Sequence, residues 1–314
     1  MKLSVKDLSS RYSSMNGPVY AVEDVDFDLQ DGESIGIAGE SACGKSTLGL
    51  SIIRMLSGGK VKGEILLDDE SILDLSESEF DSKYRWKKIS MIFQGAMNSL
   101  DPVFTVKDQY VEVLKQHKFQ GNFDETIKDA INSVGLDDIV LKKYPHELSG
   151  GMKQRVVIAM ALLLKPKFVI ADEPTTALDV LIQAQIVNLL KKLKKEGTSF
   201  MLITHDLALL SEIADKIGIM YGGQMVEFGS SQEIYKNPKH PYTQGLLKSI
   251  PTLRGDVPSY IKGIPPSLLE PPTECRFIER CPLAIDKCKQ LPPKFETKTG
   301  FVQCWLYEDE KPSN

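Results

Sequence analysis

Short apolar runs separated by turns fill the first ninety positions, as in Val19–Phe27 and Glu33–Gly39. One of them, Ser34–Ala38, enters a glycine-rich turn and then a helical stretch from Lys45, which is the strand, loop, helix order of an α/β unit. From Phe93 to about Tyr144 the pattern becomes polar and helical, with Asp124–Val134 reading as an amphipathic helix, so an inserted helical subdomain is expected there. A second α/β stretch follows: a helix over Met152–Leu164, a β-rich run Phe168–Ala171, a helix from about Val180 to Lys195 and a strand Ser199–Thr204. Strands separated by helices of this length predict a parallel sheet with helices on both faces. The lysine cluster Lys191–Lys195 reads as a solvated last helical turn that complements the helix dipole.

Past Ser230 the character changes. Twelve of the 17 prolines fall from Pro238 onward, which predicts an extended, loop-rich appendage. The longest apolar run, Val156–Leu164, has nine residues, about half of the ~18 to 20 that span a bilayer. The start, MKLSVKDLSSRY, has no apolar signal core, so a reducing cytosol is the expected compartment. With 314 residues, 42% apolar and 26% charged, the composition is that of an ordinary folded protein. Its net charge of −5 gives a nucleic-acid partner no help, and none is expected.

Three segments carry chemistry. Gly39, Glu40, Ser41, Ala42, Cys43, Gly44, Lys45, Ser46 and Thr47 match GxxxxGK[ST] between an apolar strand and a helix. Its glycines let backbone N–H groups close on phosphate oxygens, Lys45 supplies a charge to the β- and γ-phosphates, and the Ser46 hydroxyl can ligate Mg²⁺. Cys43 reads as a small filler rather than a nucleophile, since no His or Asn partner lies near it in sequence. At the end of the apolar run from Phe168 stand two acids, Asp172 and Glu173. They can divide two tasks, Asp172 in the Mg²⁺ shell and Glu173 as general base toward the attacking water. In LSGGMKQR, Ser149 with Gly150 and Gly151 opens a helix whose exposed N–H groups form a second anion site.

The order of phosphate loop, Gln94, LSGGMKQR, ADEP, Asp179 and His205 resembles the nucleotide-binding subunit of an ATP-binding cassette (ABC) transporter over roughly residues 3–230. The resemblance implies a P-loop NTPase of RecA-like α/β fold, its core in residues 1–92 and 165–230, a helical signature subdomain in 93–164 and a C-terminal extension in 231–314. It implies a head-to-tail dimer with ATP between the phosphate loop of one subunit and Ser149, Gly150, Gly151 and Gln154 of the other. Gln94 would approach Mg²⁺ and water, His205 would contact the γ-phosphate and Asp179 would lie at the dimer interface. Tyr12 would stack on adenine, with Tyr20 as its competitor.

Within the extension, the segment from Asn237 through HPYT resembles the ATPases of dipeptide and oligopeptide importers. Cys275, Cys281, Cys288 and Cys304 follow, with 5, 6 and 15 residues between successive members. The spacing fits a Cys₄ staple as [4Fe–4S] or Zn²⁺, and leaves disulfides and free thiols open. The resemblance implies a [4Fe–4S] cluster, since similar cysteines bind one in some members of the peptide-importer relatives. The chain is thus expected to hydrolyse ATP with Mg²⁺ at the cytoplasmic face of the membrane, as a peripheral subunit. The implied partners are a second, homologous ATPase, two membrane-spanning permeases and an extracytoplasmic solute-binding protein. Peptides, nickel complexes and oligosaccharides are the cargo classes left open, and a soluble ABC ATPase working on DNA or ribosomes is the rival reading.

Overall fold

A computed structural model describes residues 1–250 and 260–309. Of the tail prolines, Pro251, Pro258 and Pro312 lie outside the described residues. Along the chain run β1 (Leu3–Ser14), β2 (Gly17–Leu29), β3 (Ile35–Ala38), α1 (Lys45–Ile52), β4 (Gly59–Leu67), β5 (Glu70–Ser71), α2 (Glu77–Lys83) and β6 (Ile89–Ile92). Then come α3 (Val106–Gln116), α4 (Phe123–Ser133), α5 (Gly150–Ala161), β7 (Phe168–Asp172), α6 (Val180–Lys195) and β8 (Ser199–Ile203). The last part holds α7 (Leu207–Ile213), β9 (Lys216–Tyr221), β10 (Gln224–Ser230), α8 (Ser231–Lys236), α9 (Pro241–Lys248), β11 (Phe295–Glu296) and β12 (Phe301–Val302). These elements form two compact units, one continuous over Asp74–Met201 and one built from Met1–Leu73 with Leu202–Asn314.

The discontinuous unit contains two sheets. One is antiparallel, in the order β2-β1-β4-β5, and its one-faced alternation is broken by register shifts in β1 between Val5 and Leu8 and again before Ser10. The other runs β11-β12-β10-β9-β3. Only β3 and β9 are parallel there, while β9, β10, β12 and β11 are antiparallel. The expected all-parallel sheet is therefore corrected to a mixed one, and the N-terminal antiparallel sheet adds a layer that the apolar runs did not reveal. All four residues of β3 are buried, as a strand covered on both faces requires.

In the continuous unit β6 and β7 pair in parallel, and every residue of both strands is buried. Burying Phe168, Val169 and Ile170 is worth about 1.5–3 kcal/mol per side chain. Helix α6 is preceded by Asp179, whose carboxylate accepts from the Ile182 N–H at 3.0 Å and caps it, and its last turn holds Lys192, Lys194 and Lys195. The lysine cluster thus sits at a helix C-terminus, where its charge suits the dipole. Helix α5 starts at Gly150, two residues before the expected Met152, because Ser149 accepts from the Met152 N–H at 3.3 Å and caps it there.

The tail is more ordered than an extended appendage. It contributes α8 and α9, and β12 pairs with Glu227 and Phe228 of β10, which lengthens the mixed sheet. No helix among the described residues is long and apolar enough to cross a membrane.

Candidate active site

The phosphate-loop motif connects β3 to α1, in the discontinuous unit. Gly44 has φ +102°, and a Cβ there would stand 2.0 Å from the Ala21 carbonyl oxygen, so no other residue fits. The Lys45 ammonium is buried and donates to the carbonyls of Gly39 and Glu40, both at 2.8 Å. Ser46 and Thr47 are half-buried, and no acid occupies the first turn of α1. The first turn of that helix thus contributes no negative charge of its own against a phosphate at its N-terminus. Cys43 is 5% exposed and burial pushes its thiol up, which keeps it neutral and fits the filler reading.

Two tyrosines competed for the adenine position. The Tyr12 hydroxyl lies 3.2 Å from Thr47 Oγ1 at the start of α1. Tyr20 instead has the Arg11 guanidinium 4.3 Å above its ring, and that face is taken. His205 is exposed, and the preceding residue, Thr204, donates its N–H to the Ile37 carbonyl at 3.1 Å. That bond fixes the backbone carrying His205 to the strand that leads into the phosphate loop.

Gln94, the signature residues, Asp172, Glu173 and Asp179, the other candidates for the ATP site, belong to the continuous unit. Asp172 is 3% exposed at the end of β7, and Glu173 follows with φ +47°, a left-handed conformation for a residue with a side chain. The backbone turns there and the Glu173 carboxylate is taken off the strand. Thr176 Oγ1 donates to Glu173 Oε2 at 2.7 Å and Gln94 Nε2 donates to the same oxygen at 3.4 Å. Gln94 and Glu173 are brought together across 79 positions of sequence. Thr176 escaped the sequence reading, because a threonine in TTALD looks like turn filler. Of the signature residues, Gln154 is 4% exposed, and a Cβ on Gly151 would come within 2.9 Å of Ile182 Cγ2. Ser149 and Gly150 are exposed at the helix start. Asp179, also exposed, is followed by Val180 and Leu181 at 81% and 69% exposure.

The four tail cysteines lie in the discontinuous unit and none is in a disulfide. The Cys275 N–H donates to the Cys288 carbonyl at 3.0 Å. Burial, and then the charges of Cys288, Cys304 and Cys281, push the Cys275 thiol up to about 12. Burial does most of the same for Cys304, pushed up to about 11, with Cys281 and Cys288 adding to it. The thiols are thus gathered in one region. Yet among the described residues no group of three or more His, Cys, Asp or Glu side chains is arranged to hold a metal ion. A zinc ion needs its sulfurs at about 2.3 Å from one centre, and this arrangement does not fit it.

The comparisons with known proteins agree on a family. The profile described as "ABC transporter" matches residues 22–176, and that described as "Oligopeptide/dipeptide transporter, C-terminal region" matches residues 226–288. The chain is 44% identical to the oligopeptide transport ATP-binding protein AppD of Bacillus subtilis, with 98% of this chain and 97% of that one covered. It is 44% identical to the oligopeptide transport ATP-binding protein OppD of Escherichia coli, covering 96% of this chain and 91% of that one. Among solved structures, a post-hydrolysis dimer of the ATP-binding cassette MJ0796 with ADP and Pi shares 27% identity at a TM-score of 0.65. That match covers 73% of this chain and 98% of the cassette.

Proposed function

This chain belongs to the ABC transporter family, among the ATP-binding subunits of oligopeptide and dipeptide importers, and on that premise we propose which of its residues perform the hydrolysis that drives uptake. It is an ATP hydrolase that uses Mg²⁺ and works with membrane permeases. The rival reading, a soluble ATPase acting on DNA or ribosomes, is not favoured by relatives that match almost the whole chain and are peptide-transport subunits.

Phosphate oxygens of ATP are bound by the backbone N–H groups of Gly39–Thr47, and Lys45 exchanges its bonds to the Gly39 and Glu40 carbonyls for the β- and γ-phosphates. Tyr12 stacks on the adenine. Ser46, Gln94 and Asp172 are hard oxygen donors of the kind that hold Mg²⁺, which neutralises phosphate charge when bound. Glu173 accepts the proton of the attacking water, and His205 orients the γ-phosphate. Glu173 at the end of a wholly buried strand, turned out by its positive φ and held by Thr176, is the observation that carries this assignment.

The site is completed by a second ATPase subunit, most simply a homologue of this one, through Ser149, Gly150, Gly151 and Gln154 in trans. The exposed apolar pair Val180 and Leu181 beside Asp179 suits such an interface. Residues 93–164 act as the helical subdomain that answers to nucleotide state, and a solute-binding protein delivers the peptide. Residues 231–314 form the importer-type extension. Its four cysteines, Cys275, Cys281, Cys288 and Cys304, would be the ligands of a [4Fe–4S] cluster, a group that Cys thiolates hold.

The deciding experiment is Glu173→Gln in the assembled transporter. The isosteric amide retains ATP binding and lowers steady hydrolysis by about 10²–10⁴-fold. Normal turnover by this variant would remove Glu173 from the base position.

A further inference from the structure

Arg280 lies outside every motif that the sequence offers, yet its side chain is 5% exposed and ends on the phosphate loop. Nη1 donates to Glu40 Oε2 at 2.8 Å and Nη2 to Glu40 Oε1 at 3.0 Å, a two-point ion pair. The guanidinium is itself fixed by the Tyr221 hydroxyl at 3.1 Å and by the carbonyls of Lys262 and Ile261 at 2.9 and 3.2 Å. The same loop residue is gripped a second time, since the Glu40 N–H donates to the Tyr242 hydroxyl at 2.9 Å. Tyr242 is wholly buried on α9, its ring 4.5 Å from that of Tyr221 and 5.4 Å from that of Phe277. The Glu40 carbonyl takes the third bond, from Lys45. A single residue of the loop is therefore held at its carboxylate, amide and carbonyl, and the C-terminal segment supplies the first two.

We infer that Arg280 and Tyr242 are positioning residues for ATP, acting through Glu40 to set the conformation of the phosphate loop. Gly39 and Gly44 give that loop the backbone freedom it needs to cradle phosphate, and the same freedom costs affinity unless the chain between them is restrained. Glu40 is where the restraint is applied. Arg280 also ends the short turn Ile278–Arg280 and directly precedes Cys281, so the segment that carries the cysteines fixes its backbone. This inference rests on the reading of residues 39–47 as the phosphate site.

The test is equilibrium binding of Mg·ATP to the full-length chain, with thermal melting of each variant alongside. Arg280→Ala weakens ATP binding about tenfold or more, because a partly buried carboxylate loses its two-point partner and the loop its anchor. Arg280→Lys restores part of the affinity, since it keeps the charge but not the second bond. Tyr242→Phe weakens binding independently, without removing a charge. Because Arg280 acts through the Glu40 carboxylate, Arg280→Ala combined with Glu40→Gln is no weaker than the worse single variant. If the variants melt earlier but bind ATP at the wild-type level below their transition, Arg280 and Tyr242 are structural only and the inference fails. Should Arg280→Ala not fold, the same comparison is read from Arg280→Lys and Tyr242→Phe. Lys45→Ala separates the two levels of argument: if it binds ATP normally, the phosphate-site reading fails instead.

Discussion

His240 is 1% exposed, and its Nδ1 accepts the Tyr242 N–H at 3.0 Å, capping α9. Burial lowers its pKa to about 3 from the usual 6.5. The native chain therefore keeps this imidazole neutral at pH 5, while the unfolded chain protonates it below pH 6.5. Below that value the unfolded state binds the extra proton, so stability falls as the pH is lowered toward the folded pKa. Between pH 7.5 and 5 the loss through this one group is about 2 kcal/mol, from about 1.4 kcal/mol per pH unit over the interval below 6.5. Burial raises the pKa of the neighbouring Glu227, whose carboxylate accepts from the backbone N–H of His240 at 2.9 Å, and that group works in the opposite sense. Comparison with His240→Asn isolates the histidine, because asparagine keeps a capping acceptor and does not titrate while Glu227 is common to both proteins. Urea denaturation of the full-length chain at the two pH values should show the wild type losing about 2 kcal/mol more than the variant. Equal losses in the two proteins would refute the reasoning, since the buried imidazole would then be taking up its proton without cost.

Thr176→Val removes the 2.7 Å bond to Glu173 and should lower kcat of the assembled transporter roughly tenfold, with KM for ATP unchanged. A raised KM with unchanged kcat would assign Thr176 to nucleotide binding instead. Anaerobically purified protein should carry about four irons and matching sulfide per chain, lost together when Cys275 and Cys281 are replaced by Ser. Zinc in place of iron, or no metal, would rule out the cluster.

The parts of the fold legible in the sequence are those fixed by local chemistry. The strands β3 and β7 are continuous apolar runs because both faces are covered, and α6 has an aspartate cap at one end and lysines at the other. The antiparallel sheet stayed hidden because β1 buries its residues in blocks, Leu3–Val5 and Leu8–Ser10, and slips register at bulges against β2, so that no period of two runs along it. Strand β12 is too short to leave any period. Within the candidate site, the phosphate-loop motif and the Asp172–Glu173 pair are legible because their residues stand side by side in sequence. Arg280 and Tyr242 reach Glu40 across 240 and 202 positions, and no local pattern encodes such a contact.

The discontinuous unit also has a consequence for how the protein is made. Strand β3 is complete once residue 38 has been synthesised, yet its parallel neighbour β9 begins at Lys216. From the end of the first segment at residue 73 to the last strand at residue 302 the ribosome must add 302 − 73 = 229 residues. At about 5–20 residues per second that takes roughly 11–46 s. The continuous unit, residues 74–201, is synthesised in full before this interval ends. The phosphate loop, lying between β3 and α1, meanwhile has neither Tyr242 nor Arg280 to hold it. A nascent chain of this protein thus acquires the anchors of its nucleotide loop among its last additions.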